Sequence, residues 1–561
     1  MELNLADVLE GIAFAAPERE ALVVGDRRFI WGELWSRTAR FGEWLTSLDL
    51  GLRSDPATTI GWRSPHDHVA LMMRNGSPYL ESMVGAFAAR CAPVNVNYRY
   101  RDAELSHVLT DSASRVAVVD GEFAERVAAI RDELPHLEVL VQVDDGSGAE
   151  LAPGALRYED VLDSVDAPVR PVGGRSGDDR YVCYTGGTTG LPKAVMWRQA
   201  DFLVAALGVS PAPLADVVAA ARRSSLRALP APPFMHGAAH WNAFAAWVSG
   251  GAVVLPRSPG HLDPADVWST VEREAVTSLL VVGDAFAVPL IDELVAAEAR
   301  GRPYRLGSLR QLLSGGAVLS AHVRAEVLHR VPELVIVDVL GSSESGRQAV
   351  SRVRAGDDAS PAAGSFVPEP ATTVLDADRA SVLPRDDRRI GWLAQSGRVP
   401  LGYLGDAERT AKTFPTVGGR RYAVPGDRAR WRDDGSVELL GRDSVCINTG
   451  GEKVFAEEVE SVVRSHPAVF DAVVCGRPSP RWGQEIVAIA ALRPGEALSL
   501  DELVTHTRAR LADFKAPKAL VLVGRVLRSP SGKADYAWAR SVASGDSSPV
   551  ATDGPTGGPT G

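Results

Sequence analysis

Cysteine is scarce. Cys91, Cys183, Cys446 and Cys475 are the four in 561 residues, they lie far apart in apolar contexts, and no two form a CxxC pair. Neither a disulfide framework nor a cysteine zinc site is indicated, and buried thiols in a reducing cytoplasm are the simplest reading. Positive charge is in deficit too: the net charge of −11 argues against a nucleic-acid partner, which a basic face would serve, while leaving room for a locally basic pocket. Long apolar runs are missing. The most apolar later stretch, residues 279–290, is interrupted by Asp284 and Pro289 and falls short of the roughly 20 residues that span a bilayer. The opening Met1-Glu2-Leu3-Asn4-Leu5-Ala6-Asp7 is acidic where a signal peptide is basic. These absences predict a cytoplasmic protein with no transmembrane segment. What remains is ordinary globular composition, 45% hydrophobic and 23% charged, in a chain too long for a single core, so at least two domains are expected.

The most informative stretch is Tyr184-Thr185-Gly186-Gly187-Thr188-Thr189-Gly190-Leu191-Pro192-Lys193, which follows the strand-like Tyr181-Val182-Cys183. Glycines let the backbone turn back with its amides exposed, and successive N–H groups in such a turn form an anion-binding concavity. Threonine hydroxyls and one lysine add donors and charge, a combination suited to a polyphosphate. The loop is not a Walker A motif, because Leu191 and Pro192 separate Gly190 from Lys193 and proline disfavours a helical residue before it. Nor is it Gly-x-Gly-x-x-Gly; a plain Gly/Thr hairpin is the bland alternative.

Upstream, residues 5–48 read as a helix, a hairpin about Gly25-Asp26, and a second helix with Leu34, Trp35, Phe41 and Leu45 near helical spacing. Helix-then-strand repeats follow through residues 92–98, 117–119 and 139–141, pointing to a layered α/β sheet. His236 and His240 stand four apart, but no third ligand and no His-Glu-x-x-His pattern accompanies them, so zinc is disfavoured. Trp241, Phe244 and Trp247 either line a pocket beside His236 or form a plain aromatic core. Ser314-Gly315-Gly316-Ala317 follows one strand-like run, and Asp338-Val339-Leu340-Gly341-Ser342-Ser343-Glu344-Ser345-Gly346 another. The serines there make no Gly-x-Ser-x-Gly elbow, which argues against a serine hydrolase. Residues 391–441 turn to short strands with Gly turns, and Pro425-Gly426-Asp427 lies among them. Beyond Gly441-Arg442, a hairpin, a helix burying Val459, Val462 and Val463, two strands and a helix capped by Ser499 make a compact domain. It closes on Ser529-Pro530-Ser531-Gly532-Lys533, and a Ser/Gly/Pro/Thr-rich tail of low ordering capacity follows.

In order and separation these motifs closely resemble the adenylate-forming superfamily of acyl-CoA synthetases, luciferases and adenylation domains. The resemblance covers the chain from the N-terminal helices to Lys533 and is nearest to actinobacterial fatty-acyl-CoA synthetases, some of which act on steroid side-chain acids. It implies a large layered α/β domain with a small β-barrel subdomain over residues 1–440, a hinge at 441–445, a small mobile α+β domain at 446–541, and a disordered tail at 542–561. Leu340 stands where the family has tyrosine, Ser343 where it has threonine, Pro425 where it has threonine, and Ser444 at the hinge, where that subgroup also lacks the usual carboxylate.

The resemblance further implies a two-step ligase using ATP, Mg²⁺ and CoA: a small-molecule carboxylate attacks the α-phosphorus to give acyl-AMP, and the CoA thiol then displaces AMP. By the same implication Thr185, Gly186, Gly187, Thr188, Thr189, Gly190 and Lys193 hold phosphates, while Gly315, Gly316 and Ala317 pack along adenine. Asp338, Leu340, Gly341 and Ser342 belong to the nucleotide site, Ser343 and Glu344 place Mg²⁺, and Asp427 and Arg442 contact the ribose. Gly450, Gly451 and Lys453 come from the small domain toward CoA, His236, Gly237 and Trp241 flank the acyl group, and Lys533 bridges carboxylate and α-phosphate. Lys533, Glu344 and Thr185 are the expected catalytic set. A homodimer is compatible with this reading. Two rivals stand beside it: a ligase loading a carrier protein's phosphopantetheine, and a non-enzymatic nucleotide sensor.

Overall fold

A computed structural model describes residues 2–165, 174–187, 190–258, 260–357, 365–449, 452–528 and 532–545. Thr188, Thr189, Gly450 and Gly451 therefore lie outside the described residues, as does the tail from residue 546.

The N-terminal expectation holds element by element. Asn4 caps the helix Leu5–Ala15, accepting from the Ala6 N–H at 2.9 Å. Gly25, at φ 58°, turns the strand Glu20–Val24 into Arg27–Ile30, and the helix Trp31–Ser47 follows at once. Leu34, Trp35, Phe41 and Leu45 are all buried on it, which is the reason for their spacing. Alternation of helix and strand then builds a five-stranded parallel sheet in the order Ala92–Asn95, His68–Met72, Ser114–Asp120, Val139–Val143 and Ala155–Arg157.

A second, larger sheet starts from Glu20–Val24 and runs in parallel through Ala252–Leu255, Arg227–Pro230, Ser278–Val281, Gln311–Gly315 and Val335–Ser342. It then switches to antiparallel pairing at Gly346–Val353. The strands of residues 365–442 join it through Ser365–Pro368, which pairs with Gly346–Val353 on one side and Val437–Arg442 on the other. Val437–Arg442 pairs in turn with Asp427–Trp431, that strand with Gly391–Ser396, and that one with Thr372–Leu375, which continues Ser365–Pro368 a few residues on. The ladder thus returns to the segment it left and closes the expected small β-barrel around Val374, Leu393, Ala429, Trp431 and Val437.

The small domain is a second α/β unit. Its sheet runs Glu452–Phe455, Cys446–Thr449, Gly483–Leu492, Val469–Ser479, with Ala519–Leu522 parallel on Gly483–Leu492. Ser499 and Glu502 form a reciprocal capping box at the helix Leu500–Arg508. The helix Ala456–Arg464 buries Val459 and Val463, whereas Val462 is half-buried at its edge. The last helix, Tyr536–Ser544, buries Val542 and Ala543, so the chain stays ordered three residues into the stretch read as tail; the apolar pair finds a core that composition alone did not reveal. Among the described residues no disulfide joins the cysteines, and no helix is long and apolar enough to cross a membrane.

Candidate active site

The Gly/Thr loop is the tip of a β-hairpin. Arg180–Gly187 pairs antiparallel with Gly190–Arg198, which sets Thr185 opposite Lys193 and Gly187 opposite Gly190. Cross-strand partners share a face, so the threonine and lysine point the same way. Asn95 staples this hairpin to its neighbours: its amide donates to the carbonyls of Tyr184 (2.9 Å) and Met235 (2.7 Å), and its oxygen accepts the Tyr184 N–H (2.8 Å). Asn75 holds the adjoining proline loop, accepting from the Phe234 N–H at 2.6 Å and donating to the Pro232 carbonyl at 3.0 Å. Nothing in the local sequence marks either asparagine, because both act on segments far along the chain.

Lys193 does not stand alone. Its ammonium donates to the Tyr403 hydroxyl (2.9 Å), lies over that ring (4.4 Å) and approaches Glu344 Oε1 (3.1 Å). The Tyr403 hydroxyl donates in turn to the same Glu344 oxygen at 2.9 Å. Burial opposes ionisation of Glu344, but Lys193, the Tyr403 hydroxyl and Arg442 outweigh it and hold the carboxyl below its ordinary range. Tyr403 was missed by the sequence reading. It sits in the two-residue strand Gly402–Tyr403, hydrogen-bonded to the lysine's own strand and too short to show any periodicity.

A tight turn presents Glu344. The strands Val335–Ser342 and Gly346–Val353 pair directly across it, Ser342 Oγ accepts the Glu344 N–H at 3.2 Å, and Ser345 Oγ accepts the Ser342 N–H at 3.1 Å. Gly346 has φ 68°, and a Cβ there would lie 2.9 Å from the Ala205 carbonyl oxygen, so glycine is required twice over. The Ser343 carbonyl accepts from the Trp197 indole at 2.9 Å, leaving its hydroxyl 4.0 Å from Cys183 Sγ. Asp338, on the strand below, is taken up by Arg324 at 2.9 Å, and burial pushes its pKa up to about 6. Leu340 packs against the hydrophobic cluster of the small barrel. Gly315 ends its strand against Val339, Gly316 has φ 83°, and Ala317 lies against Gly283. Lys453 is on the strand Glu452–Phe455, opposite Asn448.

Gly426, at φ 112°, turns the chain into the strand Asp427–Trp431, whose first residue faces Arg442 across the ladder. Asp427 Oδ1 lies 3.3 Å from Arg442 Nε, and this carboxylate is the main reason the guanidinium's pKa is raised. Asp427 keeps a second oxygen for other donors.

His236 ends the proline loop as N-cap of the helix Gly237–Val248. Its Nε2 is buried without a hydrogen-bond partner, and burial, then Lys533, bring its pKa down to about 3, so the ring is neutral. His240 is fully committed: Nδ1 bonds the Phe234 carbonyl (2.7 Å) and Nε2 the Tyr181 hydroxyl (2.5 Å). The pair therefore shares no ligand, and among the described residues no group of three His, Cys, Asp or Glu side chains could hold a metal. Trp241 is half-buried and donates to Tyr181 Oη at 2.6 Å, while Gly237 lies between its ring and Cys183. Phe244 and Trp247 belong to the core, with the Trp247 indole donating to the Ala21 carbonyl at 2.8 Å.

Lys533 reaches this site from the small domain. Gly532 (φ 74°) rests on the large domain, where an added Cβ would lie 3.2 Å from the Val282 carbonyl oxygen. The lysine side chain keeps solvent access in the cleft, yet the surrounding protein lowers its pKa through desolvation and then Arg442, against Glu344 and Asp427. Beside it a cavity of about 440 Å³ opens between the domains, lined by Tyr98, Arg99, Pro233, Phe286, Phe470 and Arg525 among others. Lys533, Glu344, Asp427, Arg442 and His236, scattered over the sequence, thus converge on one cleft.

An enzyme handling an anionic nucleotide is the class this cleft defines, with a fixed charged platform in one domain and a single lysine delivered by another. The chain belongs to the AMP-binding enzyme family, which matches residues 9–404, with the AMP-binding enzyme C-terminal domain matching 458–533. It is 46% identical over 544 residues to the medium-chain acyl-CoA ligase Mig of Mycobacterium avium, covering 96% of this chain and 97% of that protein. It is 38% identical over 552 residues to the medium/long-chain-fatty-acid–CoA/3-oxocholest-4-en-26-oate–CoA ligase of Mycolicibacterium smegmatis, covering 97% of each. Among solved structures, the anthranilate CoA ligase AuaEII in complex with anthranoyl-AMP has the same fold, with TM-score 0.80, 22% identity and 97% of each chain covered.

Proposed function

We propose that this protein is an ATP-dependent acyl-CoA synthetase that activates a medium- or long-chain fatty acid, or a steroid side-chain acid, as acyl-AMP and passes the acyl group to CoA. The observation that carries the reading is the convergence of Lys533 with Glu344, Asp427, Arg442 and the neutral His236. The names of the full-length relatives support the acid class.

In the first step the substrate carboxylate attacks the α-phosphorus and pyrophosphate leaves. A weak nucleophile meets a polyanion, so the work is alignment and neutralisation of charge. Thr185, Lys193 and the amides of Gly186, Gly187 and Gly190 receive the departing phosphates; Thr188 and Thr189 lie outside the described residues. Asp427 accepts the vicinal ribose hydroxyls with its free oxygen, and charge-assisted bonds of that kind are short and strong. Arg442 stays beside them. Lys533 spans the acid oxygen and the α-phosphate. His236, neutral and with an unpartnered nitrogen, sides with the acyl group rather than with phosphate.

Glu344 and Ser343 offer hard oxygens, one of them a carboxylate held ionised, and phosphates supply the rest of such a shell, so the residues fit Mg²⁺. Bound there, the ion would neutralise phosphate charge. In the second step the CoA sulfur attacks the acyl carbonyl and AMP leaves, with the small domain turned so that Lys533 withdraws and the segment at Gly450 and Gly451 approaches.

Pyrophosphate release should be followed with linear fatty acids and steroid side-chain acids, each with and without CoA. A CoA thioester from any of them establishes the ligase and its acid class. Pyrophosphate without thioester replaces it with a carrier-loading enzyme, and absence of both with a nucleotide-binding protein.

A further inference from the structure

Two separate contacts fasten the small domain while Lys533 is in the cleft, and both belong to one helix, Ala456–Arg464. At its first turn, Glu457 Oε1 accepts the backbone N–H of Arg442 at 3.3 Å, and its other oxygen lies against Gly441. A Cβ at Gly441, where φ is 132°, would stand 2.5 Å from that oxygen, so glycine there leaves the carboxylate its place against the strand Val437–Arg442. At the last residue, Arg464 Nε lies 3.5 Å from Asp284 Oδ2 in the large domain, with side chains only 7% and 13% exposed.

Asp284 is rigidly placed. Its Oδ1 accepts the Ser320 N–H at 2.8 Å and its own N–H donates to the Val318 carbonyl. The neighbouring residues Val282 and Ala285 are those against which Gly532 rests. One short turn of the large domain, residues 282–285, therefore receives both the end of this helix and the residue before Lys533. Inside the small domain Arg528 ties that loop down, donating to the Gly532 carbonyl at 3.1 Å and pairing with Asp471 at 2.6 Å. Wherever the small domain sits, the lysine loop goes with it.

We propose that the helix Ala456–Arg464 is a two-ended clasp that seats Lys533 for acyl-adenylate formation, with the Asp284–Arg464 ion pair as its releasable end. This rests on the ligase reading above. The pair suits release: at 3.5 Å it is held by charge and not by a hydrogen bond, since Arg464 Nε has no hydrogen-bond partner. Arg464 also keeps the Ala472 carbonyl (3.2 Å) and Glu460 (3.5 Å), so it does not become an orphan when the domain turns away. Asp284 and Arg464 touch no substrate; they are positioning residues acting through Lys533.

The discriminating variant is Asp284→Asn, which keeps an oxygen for the Ser320 N–H and removes only the charge. Pyrophosphate formed from ATP and acid without CoA should fall about 10-fold, between the loss for an exposed pair and that for a fully buried one. Thioester formation from supplied acyl-AMP and CoA should hold or rise. Arg464→Lys, which keeps the charge, should stay near wild type in both. A general folding defect would instead lower both half-reactions together, and that outcome, or no change in either, overturns the clasp. Amide exchange in residues 532–536 gives a reading that needs no turnover: it should quicken in Asp284→Asn, and unchanged exchange would reject the proposal even if the ligase reading stands. Wild-type protein that releases no pyrophosphate with any acid would reject the ligase reading, and exchange would still decide whether the clasp exists.

Discussion

The two domains furnish one cleft by opposite means. On the large-domain side each charge is cross-braced: Lys193, Tyr403 and Glu344 form a closed triangle, Asp427 holds Arg442, and Arg324 holds Asp338. Asn75 and Asn95 pin the loops behind them. The small domain brings Lys533 to these charges, seated through Gly532 and a long ion pair. Groups that must meet charge without rearranging are worth most when fixed in advance. A group used in only one of two steps must be able to leave, and weak interdomain contacts allow that. On the two-step reading proposed above, rigidity belongs to the large domain and mobility to the small one.

Removing the mobile charge is the severest way to break this contrast. Lys533→Ala should lose adenylation by about 10²–10³-fold, the scale of one preorganised electrostatic stabiliser, while still thiolating supplied acyl-AMP. Rapid-quench assay of each half-reaction separates the two, and equal loss in both would show that the lysine belongs to the fixed platform after all. Next comes the platform itself. Glu344→Gln leaves Lys193 without its counter-charge and removes the carboxylate proposed for Mg²⁺, so activity should fall roughly 10–100-fold, the span of a lost hydrogen bond to a charged group. The Mg²⁺ concentration needed for half-maximal rate should rise as well. A rate loss with no change in Mg²⁺ demand would assign Glu344 to bracing alone.

How much of this was legible in the sequence follows the same division. Local order was readable: the helix–hairpin–helix opening, the hairpin bearing Thr185 and Lys193, and the Ser499 cap all depend on residues a few positions apart. The resemblance then brought Lys533, Asp427 and Arg442 to one place. Partnerships across long stretches were not readable. Lys193 and Tyr403 are 210 positions apart, and Glu344 and Tyr403 are 59 apart, so no window of periodicity contains them. Asp338 was assigned to the nucleotide site from its motif, yet Arg324, fourteen positions earlier, takes its carboxylate. The small barrel came from the resemblance and not from the local text, because whether short strands close on themselves depends on Thr372–Leu375, which continues Ser365–Pro368 and pairs with Gly391–Ser396.

Tyr403 sharpens the comparison from inside the platform. Tyr403→Phe keeps the ring under Lys193 and removes only the hydroxyl shared with Glu344. The lysine–carboxylate contact at 3.1 Å survives, so the expected cost is about 1 kcal/mol, roughly five-fold in kcat/KM. Both half-reactions that use the platform should feel it, unlike the one-sided loss at Lys533. A loss confined to adenylation would contradict the bracing role.

The smallest effect expected lies at the seam between the two regimes. Desolvation, then Glu460 on the same helix, push the Glu457 carboxyl up to about 8, with Asp427 on the facing strand adding to the shift and the Arg442 N–H opposing it. Its Oε2 is buried without a hydrogen-bond partner, as suits a protonated carboxyl better than a charged one. An acid whose pKa is raised on folding contributes stability in full below its unfolded value, near 4.5, and that contribution is lost as the pH rises through about 8. Glu457→Gln is neutral at every pH and should remove this slope. Asp120 and Asp338, raised to about 7 and about 6, titrate in the same window but are common to both proteins, so the difference between the two unfolding curves isolates Glu457. Wild type should lose stability relative to the variant as pH rises from about 5 to about 8. Parallel curves would mean that Glu457 is charged throughout, and that the strand Val437–Arg442 is held by an anion and not by a neutral acid.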